Sequence, residues 1–435
     1  MISVRELLSL AIEWGVPEAT VERDYVMGAI LRGFSEDKVL RERWIFRGGA
    51  CLKKCYMETW RFPDRMDFTR MGSMRPGDTF REIVSLAGKV GKLDNIDFQL
   101  DQWNVERSPD GRSVEGTVMF RSCLDKSAMR KLRISVSSDA SAEPAQQREV
   151  YHFYTDGDSP GFSVPCLSFQ ELLVDKLLRL AREGKAGDLY DIIHMFWRGG
   201  SLLGDRADIQ VLLVRKTRQL SLPPFSYQNI AARMEDVRRD WKVSLETQMR
   251  EVPPFEHVWG ALPEFFAWLE GVIHKRELSG LRSSDESLMD ATWNPPPAAW
   301  QWGMEVPLEA IRFAAVNRLC VELGYGGINR LIEPYSLRFS NDGNLLLYAR
   351  KVDTQEIRTY RIDRIESIRV TGIPFVPVYT IEMSTGGPLL IQSPVIPLQR
   401  PSEQHASVRH PPSEEGSHDL LEDPMENQPE PSHHR

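Results

Sequence analysis

Apolar positions over residues 1 to about 34 recur at helical spacing, and the pattern predicts an amphipathic helix followed by a second helical run carrying Glu22-Arg23-Asp24-Tyr25. The segment WIFRGGACLKKCY then reads as a short apolar strand, a Gly48-Gly49 turn and the start of a helix. Stretches 95–105, 113–121, 131–137 and 149–155 alternate apolar and polar residues, with Pro109-Asp110-Gly111 as a turn between two of them. They predict a mostly antiparallel sheet flanked by helices. From Ser168 to about Gly271 the period is helical, interrupted at Gly184 to Gly187, at Gly199-Gly200 and at Leu222-Pro223-Pro224.

Residues 277–306 are rich in Ser, Asp and Pro without a sustained period, which marks a boundary. Beyond it, one helix and strands at 329–339, 344–351, 356–362, 365–370 and 378–383 predict a small helix-plus-barrel module. The expected organisation is a domain at 1–275, a linker at 276–306, a second domain at 307–396 and a disordered acidic tail at 397–435. A chain of 435 residues, 41% of them hydrophobic, is long enough for two cores. The net charge of -8 sits largely in the tail, where residues 401–435 hold eight acids and two arginines; the rest is near neutral, so nucleic-acid binding stays open. Five cysteines without paired C-x-x-C knuckles suit a reducing compartment, and Cys51 and Cys55 read as core packing. With no apolar run of spanning length and no leader, the expectation is a cytoplasmic protein without membrane contact.

The candidate chemistry lies first in FRGGACLKKCYMETWRFPDRMDFT. Glycines at a helix N-terminus let backbone amides approach phosphate oxygens, and carboxylates two apart on a strand share a face and hold magnesium. The segment resembles the signature of the AbiEii/AbiGii nucleotidyltransferase toxins, with Gly48, Gly49, Leu52, Lys54, Arg61, Phe62 and Asp67 on the pattern. A second match, QELLVDKLLRLAREGKAGDLYDIIHM, places Lys176 and Asp191 on the family's lysine and aspartate positions, with Asp188 beside them. An unbroken helix would separate Lys176 from Asp191 by about 22 Å, so they share a site only if the break at Gly184 to Gly187 folds the chain back. The resemblance spans residues 8 to 270 and implies an α+β fold, a mixed nucleotidyltransferase-like sheet with a helical C-terminal half.

It also implies Asp67, Lys176 and Asp191 as catalytic residues and Gly48, Gly49, Lys54 and Asp188 as nucleotide-binding ones. Asp67 would hold Mg2+, Lys176 would bind phosphate, and Asp191 would orient the lysine or act as base. Members transfer nucleotides from a nucleoside triphosphate, some to the 3′ end of tRNA, and act as toxins; RNA and a cognate antitoxin are the implied partners. The residues themselves leave blander roles open: a solvated Lys54, a surface Asp67, and a helix-capping pair at Asp188 and Asp191. This chain departs from the family at three places, where Pro63 replaces serine and Arg65 and Ser135 replace metal carboxylates. A cation about 4 Å from magnesium costs several kcal/mol at an effective dielectric of about 20, which sets a catalytically impaired nucleotide- or RNA-binding regulator beside the active enzyme. Asp64 shifts into the vacant place only if a bulge intervenes.

The C-terminal stretch from Ala310 to Val370 resembles WYL domains through Tyr325, Arg330, Pro334, Leu337, Tyr348, Arg358, Arg361, Asp363, Arg364 and Ile365. The resemblance implies an Sm-like barrel that senses a nucleotide or nucleic acid and controls the larger domain. Tyr325, Arg330, Arg358 and Arg364 are the expected ligand-binding set, since guanidiniums fork onto phosphate; ion pairing with Glu333, Glu356, Asp363 and Glu366 is the competing role. Strand alternation predicts that Arg358 and Arg361 face opposite sides.

Overall fold

Two helices open the chain as the apolar spacing predicts. Val4–Trp14 begins where the Ser3 hydroxyl accepts the Glu6 amide, and it ends at Gly15 in the left-handed region with φ 64. Glu18–Glu36 follows and is buried along most of its length. This computed structural model describes residues 2–72, 76–108, 112–138, 141, 143–154, 161–275, 278–279, 281, 308–340 and 343–383. The chain divides into two units, Met1–Pro397 and Leu398–Arg435, and every described residue lies in the first. The expected Pro109 to Gly111 turn, most of the linker and the acidic tail lie outside the described residues.

The larger sheet has seven strands: β1 (Trp44–Arg47), β2 (Arg65–Arg70), β3 (Phe98–Arg107), β4 (Ser113–Arg121), β5 (Met129–Ser137), β6 (Gln146–Glu149) and β7 (Ser163–Cys166). Their order is β3-β4-β5-β2-β1-β7-β6. The sheet is mixed, because β1 pairs with β7 and β2 pairs with β5 in parallel while the other neighbours are antiparallel. Alternation decides the faces: Val114, Val118, Phe120, Leu132, Ile134 and Val136 are buried, and they share the face that meets the Glu18–Glu36 helix and the helix Pro76–Asp94. Residues of the opposite parity, Asp67, Ser135 and Glu115, point the other way and stand in register across β2, β5 and β4. The strand expected at 149–155 is shorter and earlier. β6 stops at Glu149, and Tyr151 and Tyr154 bury their rings against the core instead of extending the ladder.

The helical half starts at Ser168, whose hydroxyl accepts the Glu171 amide and caps Phe169–Glu183. Gly184, at φ 62, closes that helix in the left-handed conformation, and the chain turns at once into Ala186–Arg198, which packs back against it. The glycine break therefore folds Asp188 and Asp191 beside Lys176.

The C-terminal module departs from expectation in two ways. Its helix is short, Leu308–Val316, and Leu319–Tyr325 is already a strand, β8. With β9 (Ile328–Phe339), β10 (Leu345–Lys351), β11 (Ile357–Arg361) and β12 (Ile365–Pro374) it forms an antiparallel sheet ordered β11-β10-β9-β8-β12. The Sm-like barrel is overturned: among the described residues no ladder joins the edges β11 and β12, so the sheet is open. The chain crosses between those edges through the 3-10 turn Ile362–Arg364. There Arg361 spends its guanidinium on Asn344 and Asp363, and β12 pairs with β8 alone. The segment expected as a strand at 378–383 contributes a single bridge, Ser336 to Glu382.

At the β1 turn the backbone leaves room for nothing larger than hydrogen. Gly48 has φ 78, and a Cβ there would stand 2.3 Å from Asp67 Oδ2. Gly48→Ala combines left-handed strain with this overlap, so we expect a loss of about 1–3 kcal/mol, read as a lowered midpoint in urea unfolding; an unchanged midpoint would contradict the close approach.

Candidate functional site

A cleft of about 400 Å³ opens between the Gly48 turn, the polar face of the seven-stranded sheet and the helix Phe169–Glu183. Six cationic side chains line it, Arg47, Arg65, Arg112, Lys176, Arg179 and Arg182, against three anionic ones, Asp67, Asp175 and Glu183. The lining thus carries more cationic than anionic side chains in a chain whose total charge is negative, although several of these cations are paired with acids.

The wall of the cleft is set by a buried charge network. Lys176 Nζ lies 3.1 Å from Asp188 Oδ1 and 2.7 Å from Asp191 Oδ2, with its side chain 2% exposed and both carboxylates fully enclosed. Arg61 donates to Asp191 through Nε (2.8 Å) and Nη2 (2.6 Å), and Trp60 Nε1 adds a third donor at 3.0 Å. Arg179 forks onto Asp188, its Nε 2.6 Å from Oδ2. Every oxygen of the two aspartates thus has a partner. They fix Lys176 and Arg179 at the cleft wall and are absent from its lining. Burial pushes the Asp188 carboxyl up, but Arg179 and Lys176 outweigh it and hold the acid well below the ordinary aspartate value.

Asp67 lines the cleft floor beside Gly48. Burial would raise its carboxyl; Arg65, then Arg179, Lys176 and Arg47, pull it below the ordinary value, so it is ionised at neutral pH. Asp64 is ion-paired with Arg133 and is not part of the cleft lining, and β2 runs against β5 without a bulge, so the vacant carboxylate position stays vacant. Lys54 is elsewhere: its ammonium lies 2.6 Å from Asp24 in a buried pair that Tyr154 also joins. Gly49 serves Arg61, since a Cβ there would meet Arg61 Nη2 at 2.7 Å.

Magnesium asks for several oxygen ligands at about 2.0–2.1 Å. Here Asp67 is accompanied by the Arg65 guanidinium, with Nε 3.1 Å from Oδ1, and by the hydroxyl-bearing Ser135 in the neighbouring strand. Asp175, a further acid in the lining, is tied to Arg47 (2.6 Å) and Lys216 (3.0 Å). The residues present do not fit a divalent ion. Cys51, Cys55 and Cys166 bring their thiols within 4.8 Å of one another in the core, but sulfur ligands suit soft metals and not magnesium.

Sequence reasoning missed Arg47, Arg112, Arg179 and Arg182. Spacing carried a signal for one of them: Arg179 lies one turn beyond Lys176 on the same helix face. Nothing local flagged Arg112.

In the C-terminal module the Tyr325 ring meets Tyr360 edge-on at 5.3 Å. Arg330 and Arg358 both act on the Tyr360 hydroxyl, whose oxygen is buried without a hydrogen-bond partner; burial pushes that phenol up and the two guanidiniums oppose it. Arg330 donates to the carbonyls of Tyr325 (2.5 Å) and Ile328 (2.9 Å), and Arg358 lies 2.9 Å from Glu356. Arg358 is exposed and Arg361 buried, but burial along the strand rises toward its end and does not alternate, so exposure does not test which faces they take. Arg364, in the turn before β12, is exposed. Tyr360 is the member that sequence reasoning left out.

A sheet with a glycine turn at one strand, an acid on the next and a folded-back helical pair carrying Lys-Asp-Asp defines a nucleotidyltransferase-like protein, and comparison agrees. Residues 29–270, more than half of the chain, match the family described as "Nucleotidyl transferase AbiEii toxin, Type IV TA system", and the protein belongs to that family. Residues 307–370 match the WYL domain. Among solved structures, the MenT4 nucleotidyltransferase toxin of Mycobacterium tuberculosis H37Rv aligns with 22% identity over 62% of this chain and 89% of its own, at a TM-score of 0.43. Proteasome accessory factor B/C of Arthrobacter aurescens aligns with 12% identity over 73% of this chain and 68% of its own, at a TM-score of 0.16. No curated protein matches. Among the described residues no helix is long and apolar enough to cross a membrane.

The Asp188 network carries its own test. Removing one charge from a buried pair costs about 3–5 kcal/mol, so Asp188→Asn should be destabilised by that order at pH 7. Because the acid is held low in the folded protein, its contribution is complete above the ordinary value of 3.8 and is lost as pH falls through the depressed one. Denaturant curves from pH 7 to pH 2 should show the gap between wild type and variant constant at first and narrowing in acid; a gap that widens in acid contradicts the network.

Proposed function

We propose that the cleft binds the triphosphate of a nucleoside triphosphate, and that the protein works as a nucleotide- or RNA-binding regulator in which the family's magnesium-dependent transfer is impaired. The observation that carries this reading is the cleft itself, with a glycine turn and six cations around a floor that offers a divalent ion one carboxylate already engaged by Arg65. Lys176 and Arg179 present charge to phosphate from one wall and Arg47 from the other, while Arg112 and Arg182 extend the same charge outward for a second polyanion such as RNA. The WYL module gives the cleft a listener. Tyr190, between Asp188 and Asp191 on one helix, donates to Asn317 Oδ1 at 2.8 Å, and Arg312 pairs with Glu58 at 3.1 Å. The helix Ala186–Arg198, whose Asp188 and Asp191 pair with Lys176, also carries Tyr190, so a shift of that helix moves a residue the WYL module grips, and a nucleotide or nucleic acid at Tyr325, Arg330, Arg358 and Tyr360 acts along the same path.

Asp67, on the cleft floor beside the Gly48 turn, favours a second reading, transfer to an RNA hydroxyl such as a tRNA 3′ end. Incubation of the purified protein with total tRNA and each labelled triphosphate separates the two: the regulator predicts no appreciable incorporation, and efficient labelling that is lost in Asp67→Ala replaces it with the transferase.

Binding is tested directly. Affinity should fall from ATP to ADP to AMP and weaken steeply with salt, and Arg182→Gln, a substitution at an exposed rim position, should weaken ATP by about tenfold. Titration calorimetry that finds no dependence on phosphate number across all four nucleotides contradicts the site. For the coupling, ATP should slow amide hydrogen exchange in Leu308–Tyr325 of the wild type, and Tyr190→Phe should abolish that effect while leaving ATP affinity within about twofold; equal protection in both proteins contradicts the path through Asn317.

A further inference from the structure

This inference rests on the cleft being a triphosphate site, and it concerns the place in that cleft where the family resemblance puts a metal. The registers of β2, β5 and β4 put Asp67 opposite Ser135 and Ser135 opposite Glu115. Residues of one such row project from the same face of the sheet, so two carboxylates flank the short Ser135 side chain. The acid missing at Ser135 is therefore present one strand further out, at Glu115, where a search along the family's own strand does not find it.

Arg65 reaches over this row from its place two residues before Asp67. Its Nε lies 3.1 Å from Asp67 Oδ1, and its Nη1 lies 3.7 Å from Glu115 Oε2. A cation thus stands between Asp67, which lines the cleft, and Glu115, which lies just outside its lining. The other cations of the wall are differently occupied, Arg179 by Asp188, Lys176 by Asp188 and Asp191, and Arg47 by Asp175.

We infer that the Arg65 guanidinium takes the place of the divalent ion, so that the cleft binds a triphosphate as the free polyanion and not as its magnesium complex, with Glu115 as a positioning residue for Arg65. A guanidinium carries five N–H donors in a plane. Its nearest approaches to the acids are through Nε and Nη1, and as a cleft-lining group it has further N–H donors for phosphate oxygens. Magnesium already bound to the triphosphate removes charge the site would use and brings a second cation against the first. This arrangement separates binding from metal-assisted transfer: the pocket keeps the nucleotide and gives up the ion that would activate it.

The experiment is titration of the full-length protein with each of the four nucleoside triphosphates and with inorganic tripolyphosphate, in EDTA and in excess magnesium. Wild type should bind at least one of them as tightly in EDTA as in magnesium, or more tightly. Arg65→Asp, which restores an acid beside Asp67 and Glu115, should lose about tenfold or more in EDTA and regain it with magnesium. Glu115→Gln should weaken binding in EDTA less than Arg65→Gln does, as expected of a residue that acts through another. Wild-type binding that requires magnesium overturns the role of Arg65 while keeping the cleft as a triphosphate site. Failure to bind any of these ligands in either condition overturns the triphosphate reading itself. Should Arg65→Asp fail to fold, shown by loss of cooperative melting, the wild-type comparison of EDTA with magnesium still decides.

Discussion

The structure turns on two aspartates that never touch solvent. Asp188 and Asp191 sit one helical turn apart with no exposed side-chain surface, and each is neutralised by cations that come from other elements: Lys176 and Arg179 from the preceding helix, Arg61 from the loop before β2. A buried carboxylate without such partners is costly enough that the fold cannot tolerate it. The network therefore clamps three separately encoded segments together, and the cleft is the space left between them. Its cationic wall is a by-product of that clamp, since the arginine and lysine that satisfy the aspartates also line the opening.

Against this rigid wall the floor has been altered. The glycine turn brings the backbone against Asp67, with no room for a side chain at position 48. Arg65 and Ser135 stand at the positions where the family resemblance implies carboxylates, and Asp64 is held by Arg133. The outcome is a cleft whose floor pairs one lining carboxylate, Asp67, with the guanidinium of Arg65. Shape and charge are separable here because the backbone is held by the apolar face of the sheet, where Ile134, Val136, Leu132 and Phe68 pack, and the polar face carries little of that packing.

The WYL module shares one hydrophobic core with this machinery and adds specific contacts on the clamped helix. Tyr190 lies between the two aspartates in sequence, stacks on His194, meets Trp60 edge-on, and donates its hydroxyl to Asn317. Arg318, held at a positive φ of 55 just past that asparagine, sets its guanidinium 3.8 Å above the Trp197 ring, so the two modules share aromatic packing as well as a hydrogen bond.

The sequence by itself determined the opening helices, the strand and glycine turn at Gly48, the core strands β4 and β5, and the break at Gly184, because these depend on periodicity and on backbone freedom, which are local properties. Residue types also exposed the departure at Arg65 and Ser135. Only the tertiary structure decided which charges meet. Lys54 went to Asp24 and away from the cleft, Arg179 and Arg47 joined it, and Glu115 came into line with Asp67 through two strand registers. The barrel expected at the C-terminus became an open sheet for the same kind of reason: each strand follows from alternation, but closure requires hydrogen bonds between two edges, and the turn carrying Arg361 and Asp363 joins them by chain alone. Pairing, whether of charges or of strand edges, is a relation between distant segments, and no single segment encodes it.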